Sequence, residues 1–247
     1  MSLNYILQLA DNSLILGQRL SEWCGHGPVL EEDIALTNTA LDYIGQATNL
    51  YKRAAELEGQ GRDEDMMAFL RDAWDFRNTL AVELPNGDYA FTVTRQFLFS
   101  AWYYLYLQQL KNSSDEFLRG FAEKTLKEVR YHLQHSLDWV KRLGDGTEES
   151  HRRMTAAIQQ IWEYTGEWFI PSQAEKEAIG QGIAPDPSAL RAEWRSMVES
   201  VFSEATLETP ADGFMHMGGK EGRHTEYLGY MLADMQFLQR AYPGAKW

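Results

Sequence analysis

The sequence predicts an all-α protein: one up-and-down helical bundle over about residues 5–168 with appended helices over about 188–241, in a single domain spanning 1–247. Three observations predict it. Apolar residues recur at three- and four-residue steps through most of the chain. Stretches rich in Gly and Pro interrupt that rhythm at helix-length intervals. No run alternates convincingly with period two, so almost no sheet is expected.

The elements follow in order. Ile6, Leu9, Leu16, Leu20 and Trp23 mark a first helix, which Cys24-Gly-His-Gly-Pro28 stops. A second runs from about Glu31 to Glu58 on the stripe Ile34, Leu41, Ile44, Tyr51 and Ala55. Glu31, Glu32 and Asp33 suit the positive end of its dipole, and Gly59-Gln-Gly61 ends it. Asp63 can cap a third helix through Met66, Met67, Leu70 and Trp74. After the turn Leu84-Pro-Asn-Gly-Asp88, a fourth helix near Phe91–Leu110 is apolar nearly all round, the mark of a central helix. Ser113-Ser-Asp-Glu116 resembles a capping box opening a fifth helix to Leu143. Its seam is Leu118, Phe121, Thr125, Val129, His132, Ser136, Trp139 and Leu143. Past Gly144-Asp-Gly146, a sixth helix fits Glu148–Trp168, with Met154, Ile158, Ile161, Thr165 and Trp168 inward. Residues 171–187 read as a break, Ser188–Glu208 as a seventh helix, 210–223 as loop and His224–Ala241 as an eighth helix. The helices around Glu22, Asp42, Ser100 and His132 are expected to form the central bundle.

Composition narrows the partners. The chain has 247 residues, 44% apolar and 24% charged, with a net charge of −13. That acidity disfavours nucleic acid and anionic membrane surfaces. The longest nearly apolar run, 97–107, is too short to span a bilayer. No basic segment followed by an apolar stretch stands near residue 1, so no secretory signal is expected. The single cysteine, Cys24, makes no intrachain disulfide and no thiolate metal cage, so a cytoplasmic protein is expected.

A helical bundle of this size raises the question of a di-metal carboxylate site, which needs a Glu from each of two helices and Glu-x-x-His from two more. Glu-x-x-His occurs at Glu148/His151 and Glu221/His224. Chance alone supplies about half a match at these frequencies, and the placement is poor. Glu148 opens a helix after a glycine turn, and Glu221 lies in the loop Gly218-Gly-Lys-Glu-Gly222, so both pairs read as a surface acid and a surface histidine. His132 sits on the fifth helix's seam, but Val129 stands three residues before it and Glu128 points partly sideways. Glu22 adjoins Trp23 and is expected inward, while Asp42 is followed at i+3 by Gly45. No pair of helices supplies the ligands. Cys24 and His26 lack a third partner, and no nucleophile elbow, phosphate loop or dinucleotide fingerprint is present. The aromatic run Trp102-Tyr103-Tyr104 with Tyr106 reads as core or subunit interface.

Several long ungapped motifs carry a resemblance. They are Gly17-Gln-Arg-Leu-Ser-Glu-Trp-Cys-Gly-His26, Tyr131-His-Leu133, Gly218-Gly-Lys-Glu-Gly-Arg-His-Thr-Glu-Tyr-Leu-Gly229, Leu238-Gln-Arg240 and Tyr242-Pro-Gly…Trp247. Over nearly its whole length the chain resembles the family of the C subunit of the phenylacetyl-CoA oxygenase (epoxidase) complex, which is ferritin-like. The resemblance implies a place in a multicomponent monooxygenase that epoxidises the ring of phenylacetyl-CoA in aerobic phenylacetate breakdown. It further implies that the di-iron centre resides in a homologous catalytic subunit, and the flavin and iron–sulfur groups in a separate reductase. Laid on this chain, that family's ligand pattern falls on Glu22, on Tyr43 and Gln46, near Ser100, and on Val129 and His132. Only Glu22 and His132 keep a ligand, and two ligands cannot hold two irons. The implied function is a structural subunit without metal or cofactor, which binds and stabilises the catalytic one. Another copy of the chain stands as a further partner. The rival readings are a di-iron oxygenase with an unusual ligand set and a ferritin-like storage protein. The remnant positions carry one more expectation: Glu22, His132 and one or both of Tyr43 and Gln46 close into a buried polar network.

Overall fold

The structure, a computed structural model, describes residues 3–245; Trp247 of the C-terminal motif lies outside them. Among the described residues every regular element is helical, which settles an all-α fold consistent with the ferritin-like class. Among the described residues no helix is long and apolar enough to cross a membrane. The chain divides into two compact units, one of residues 86–216 and one of the described residues in Ser2–Pro85 and Met217–Trp247.

The second unit is built on a helical hairpin of α1 (Leu3–Ser21) and α2 (Leu30–Glu58). Tyr51 reaches Asp11, and Gly17 meets Ala40 and Tyr43, so the helices run antiparallel. A Cβ on Gly17 would stand 3.2 Å from that of Tyr43, which marks a close approach of the two backbones. Accordingly α2 buries a heptad pattern of small and large residues: Leu36, Ala40, Tyr43, Ala47, Leu50 and Ala54. This corrects the expected stripe in part, since Tyr51 of that stripe is buried. Ile34 and Leu41 face solvent at 51% and 60% exposure, because alanines let the hairpin close where larger side chains would hold it apart. Gly59 ends α2 in the left-handed conformation at φ 66°, its N–H donating to the Ala55 carbonyl.

Asp63 does cap α3 (Glu64–Phe69), accepting the Met66 N–H at 2.8 Å, but the helix is shorter than expected. Leu70 leaves it and Trp74 lies in a separate 3-10 turn, Ala73–Asp75, with 74% of its surface exposed. Asn12 of α1 accepts both the backbone N–H and the hydroxyl of Thr79 at 2.9 Å, which ties the following segment to the hairpin.

The other unit opens with α4 (Tyr89–Leu110), capped by Asp88, whose carboxylate accepts the Phe91 N–H at 2.9 Å. A five-residue connection returns the chain into α5 (Glu116–Gly144). The expected capping box at 113–116 does not form: Asp115 is the cap, and the Ser113 hydroxyl donates instead to the Ile183 carbonyl. The α5 seam holds as far as Ser136. It then moves by one position to Val140 and Gly144, leaving Trp139 and Leu143 partly exposed. Next comes α6 (Glu148–Trp162), which stops before Thr165 and Trp168 although both are buried as expected. Two further helices are α7 (Gln173–Gly180) and α8 (Arg191–Glu204). The first of these arises inside the expected break, because Ser172 and Glu175 make a reciprocal capping box there.

The run Trp102-Tyr103 and Tyr106 is core, as anticipated. Trp102 stacks on Trp168 at 5.9 Å, Trp168 meets Trp194 edge-on at 6.0 Å, and the Trp194 indole donates to the Leu98 carbonyl at 3.0 Å. These contacts pin α8 and the 3-10 turn Gly166–Phe169 to α4. Residues 207–216 run without regular structure, held just past the end of α6 where His216 donates its N–H to the Glu163 carbonyl and stacks on Tyr164 at 4.4 Å.

Gly144 tests this packing. A Cβ there would stand 2.6 Å from the Ala205 carbonyl oxygen and 2.8 Å from its Cβ, both fixed at the end of α8. Gly144→Ala is therefore expected to destabilise by about 1–3 kcal/mol, against the ~1 kcal/mol helix preference for alanine. Urea denaturation checks it, and a stabilised variant would refute the close approach.

The C-terminal residues return to the hairpin's unit. A 3-10 turn, Gly219–Glu221, is followed by α9 (Glu226–Met235) and α10 (Phe237–Ala241), split at Gln236 where one eighth helix was expected. Gln236 is buried, and its amide donates to the carbonyls of Ala68 and Arg71 at 3.0 Å. The end of α3 is thereby capped from the far end of the chain.

Candidate functional site

The six remnant positions fare differently. Tyr43 and Gln46, one turn apart on α2, are buried at 0% and 3% exposure. On α5, Val129 and His132 are likewise one turn apart and buried, and the Ser136 hydroxyl donates to the His132 carbonyl at 2.7 Å. On α4, Ser100 is buried and accepts the Gln96 amide at 2.8 Å.

Glu22 departs from the expectation. It lies one residue beyond the end of α1, with 45% of its side chain exposed, and accepts Arg19 Nη1 at 2.8 Å. The cause is local. Arg19 is itself held by the Glu83 carbonyl through Nε at 2.9 Å and Nη2 at 2.7 Å, and it draws the carboxylate back along the surface. The inward placement expected for Glu22 is corrected accordingly. Asp42 is only partly buried. Among the described residues no three His, Cys, Asp or Glu side chains converge as metal ligands would.

The two Glu-x-x-His pairs also resolve. His151 lies against the Gly144 carbonyl at 2.7 Å, a helix-end contact, and Glu148 is exposed. His224 corrects the surface reading: its side chain is 5% exposed and lies against Glu83, not Glu221. Its Nδ1 is 2.5 Å from Glu83 Oε1 and its Nε2 is 3.0 Å from the Phe76 carbonyl. Glu83, fully buried, also accepts the Asn78 amide at 2.9 Å, the Thr225 N–H at 2.8 Å and the Thr225 hydroxyl at 2.6 Å. Both carboxylate oxygens are thus occupied, and the Gly-rich loop delivers His224 and Thr225 as a latch onto the segment before α4.

Sequence reasoning missed a second buried cluster. Asp11, fully buried on α1, accepts the Tyr51 hydroxyl at 2.5 Å, the Arg77 N–H at 2.7 Å and both terminal nitrogens of Arg71. Arg71 also donates to the Met67 and Asp75 carbonyls and lies 4.2 Å above the Phe76 ring. Burial first, then the neighbouring Asp11 charge, push the Tyr51 hydroxyl well above its usual range. For Arg71, burial works against the charge, but Asp11 outweighs it and the guanidinium is held protonated more firmly than usual. These groups are 0–3% exposed and saturate one another, so the cluster is a structural cross-tie, not a reactive site. Asp11 has polar neighbours in sequence, Gln8, Asn12 and Ser13, so its burial shows only in the structure.

The chemistry of the remnant positions does not fit a pair of irons. Three of the six positions hold Gln, Ser and Val, and the one carboxylate is turned to the surface. Comparison with known proteins places the chain. Residues 1–247 match the model of a family described as phenylacetic acid catabolic protein. The chain is 48% identical over 243 residues to the C subunit of the 1,2-phenylacetyl-CoA epoxidase of Escherichia coli (strain K12), with 98% of each covered.

Proposed function

We propose, from the premise that this chain belongs to the phenylacetic acid catabolic protein family, that it is the non-catalytic accessory subunit of a multicomponent phenylacetyl-CoA epoxidase. In this reading it binds and stabilises the di-iron catalytic subunit, and carries no metal, flavin or iron–sulfur group of its own. The relative's name, that of one subunit of an epoxidase, supports membership of such a complex. One observation carries the non-catalytic reading. Glu22, the only carboxylate among the six remnant positions, is held by Arg19 with 45% of its side chain exposed. Nothing else at those positions supplies the carboxylates that two bridged irons require.

The test is reconstitution. Epoxidation of phenylacetyl-CoA with reductase and O₂ is expected only when the catalytic subunit is added. The purified chain is expected to hold no stoichiometric iron by elemental analysis. Turnover without the catalytic subunit, or iron at one to two atoms per chain that a His132→Ala variant loses, would restore the rival reading of an unusual di-iron oxygenase.

A further inference from the structure

One face of α2 is left uncovered along most of its length. Leu30, Ile34, Asn38, Leu41, Gly45, Thr48 and Lys52 follow at steps of three and four, so they share one side of the helix. Leu30 is 72% exposed, Ile34 51% and Leu41 60%, and Asn38, Gly45 and Lys52 are exposed as well. At 1.5 Å per residue the stripe runs for about 33 Å. Residues 34–51 hold a single charge, Asp42, which stands beside the stripe and is partly buried. A helix face that meets only water normally carries charged residues.

Gly45 is an independent observation. It lies inside the helix, where glycine is a weaker helix former than alanine, and a Cβ there would meet nothing within 4 Å. The packing of the chain on itself gives no reason for it, in contrast to Gly17, which the close approach of α1 and α2 requires. A second helix crossing the exposed face at Gly45 supplies the reason, since the missing side chain lets a backbone come near.

The pattern along the stripe selects the occupant. Its large residues, Leu30, Ile34 and Leu41, lie toward the N-terminal end, and the small Gly45 and Thr48 toward the other. The charges that close it are opposite in sign: Glu31, exposed in the first turn, and Lys52, with 55% of its side chain exposed. An antiparallel copy of α2 matches both gradients at once. Registered about position 43, it sets Leu41 of each copy over Gly45 of the other, Asn38 opposite Thr48, and Ile34 against the stem of Lys52. Every contact occurs twice, as a two-fold interface requires. The Lys52 ammonium comes within a turn of Glu31 of the copy. Its partner within the chain, Glu64 at 3.3 Å, is a surface contact of little strength. Arg53 is already engaged by Glu56 at 2.8 Å. The net charge of −13 opposes self-association, and a stripe without charge at its centre limits that cost.

We propose that this face of α2 is a self-association surface, on which a second copy of the chain docks its own α2 antiparallel across a two-fold axis. The proposal stands apart from the accessory-subunit reading and does not need it.

The test is sedimentation of the full chain over a concentration series, in reductant so that the exposed Cys24 cannot cross-link the copies. A reversible dimer is expected. Leu41→Asp should weaken it by about 30-fold or more, the scale of a central apolar anchor. Gly45→Leu should weaken it by about tenfold or more. At dilutions where the chain is monomeric, that same variant should melt at a higher temperature, because the site is open and leucine is the better helix former. Glu31→Lys should weaken the dimer, and Glu31→Lys with Lys52→Glu should recover most of the loss. Phe237→Asp, at an exposed position away from α2, should leave it unchanged. A chain that stays monomeric at about 100 μM overturns the proposal, as does a dimer that Leu41→Asp and Gly45→Leu leave intact. Failure of the double exchange to recover what Glu31→Lys loses overturns the antiparallel arrangement. If the unsubstituted chain does not self-associate, while those two variants lose binding to the catalytic subunit, the face belongs to that subunit and the proposal falls.

Discussion

Replacing Asp11 by alanine is expected to cost about 3–5 kcal/mol, because it leaves the Arg71 guanidinium buried without its counter-charge. The same change orphans the Tyr51 hydroxyl and the Arg77 N–H, each of which donates to Asp11. Folded chains of this kind are stable by only ~5–15 kcal/mol, so much of that margin would be lost. Tyr51→Phe removes the hydroxyl that donates to Asp11 and accepts from Arg71, and is expected to cost about 1–2 kcal/mol. Urea unfolding of both variants checks the ranking, and near-equal losses would refute a charge-centred cluster. The cluster also sets a pH dependence. An unfolded tyrosine ionises near 10, whereas Tyr51 in the folded chain keeps its proton to higher pH. Its contribution is therefore fully present below pH ~10 and is lost as pH rises from there toward the folded value. Tyr51→Phe should flatten that part of the decline.

Glu83→Gln is expected to be the second-largest single loss, about 3 kcal/mol. The substitution keeps the shape but turns one oxygen into a donor, and every group around Glu83 is placed to donate. The damage should be local. Trypsin should cleave faster near Lys220 and Arg223, since the latch through His224 and Thr225 is what holds that loop. Amide exchange in α4 and α5 should remain as in the unsubstituted chain. A uniform rise in exchange along the whole chain would refute the latch. Glu83→Gln with His224→Ala should cost less than the two losses added, because the second change removes a partner already lost.

The sequence is most legible where local chemistry decides. Gly59, Asp63, Asp88 and the 144–146 turn end or start helices through their own backbone and side-chain bonds, and those boundaries agree with the structure to within one or two residues. It is least legible where a distant residue decides. Periodicity misassigns the buried face of α2 because it weighs large apolar side chains, while the hairpin selects Ala40, Ala47 and Ala54 for closeness. Asp11 and Arg71 stand 60 positions apart, and Glu83 and His224 stand 141 apart, so neither pairing leaves a local trace. Glu22 also departs from the sequence reading, held at the surface by Arg19, which the Glu83 carbonyl holds in turn. The resemblance locates the remnant positions, but which way each side chain turns belongs to tertiary structure.

The unit containing α1 and α2 is finished by residues 217–245, although residues 86–216 are translated between them. At ordinary synthesis rates that leaves a gap of roughly 7–26 s. During it the hairpin can form and Asp11 can find Arg71, since all of these are early in the chain. Glu83 cannot yet meet His224 and Thr225, and the carbonyls of Ala68 and Arg71 have no Gln236 to receive. The nascent chain thus carries an incomplete amino-terminal third while a separate unit grows behind it. Chaperone demand should fall on that third. A ribosome stalled before residue 217 should expose residues 60–85 to protease, even where α4–α8 have already become resistant.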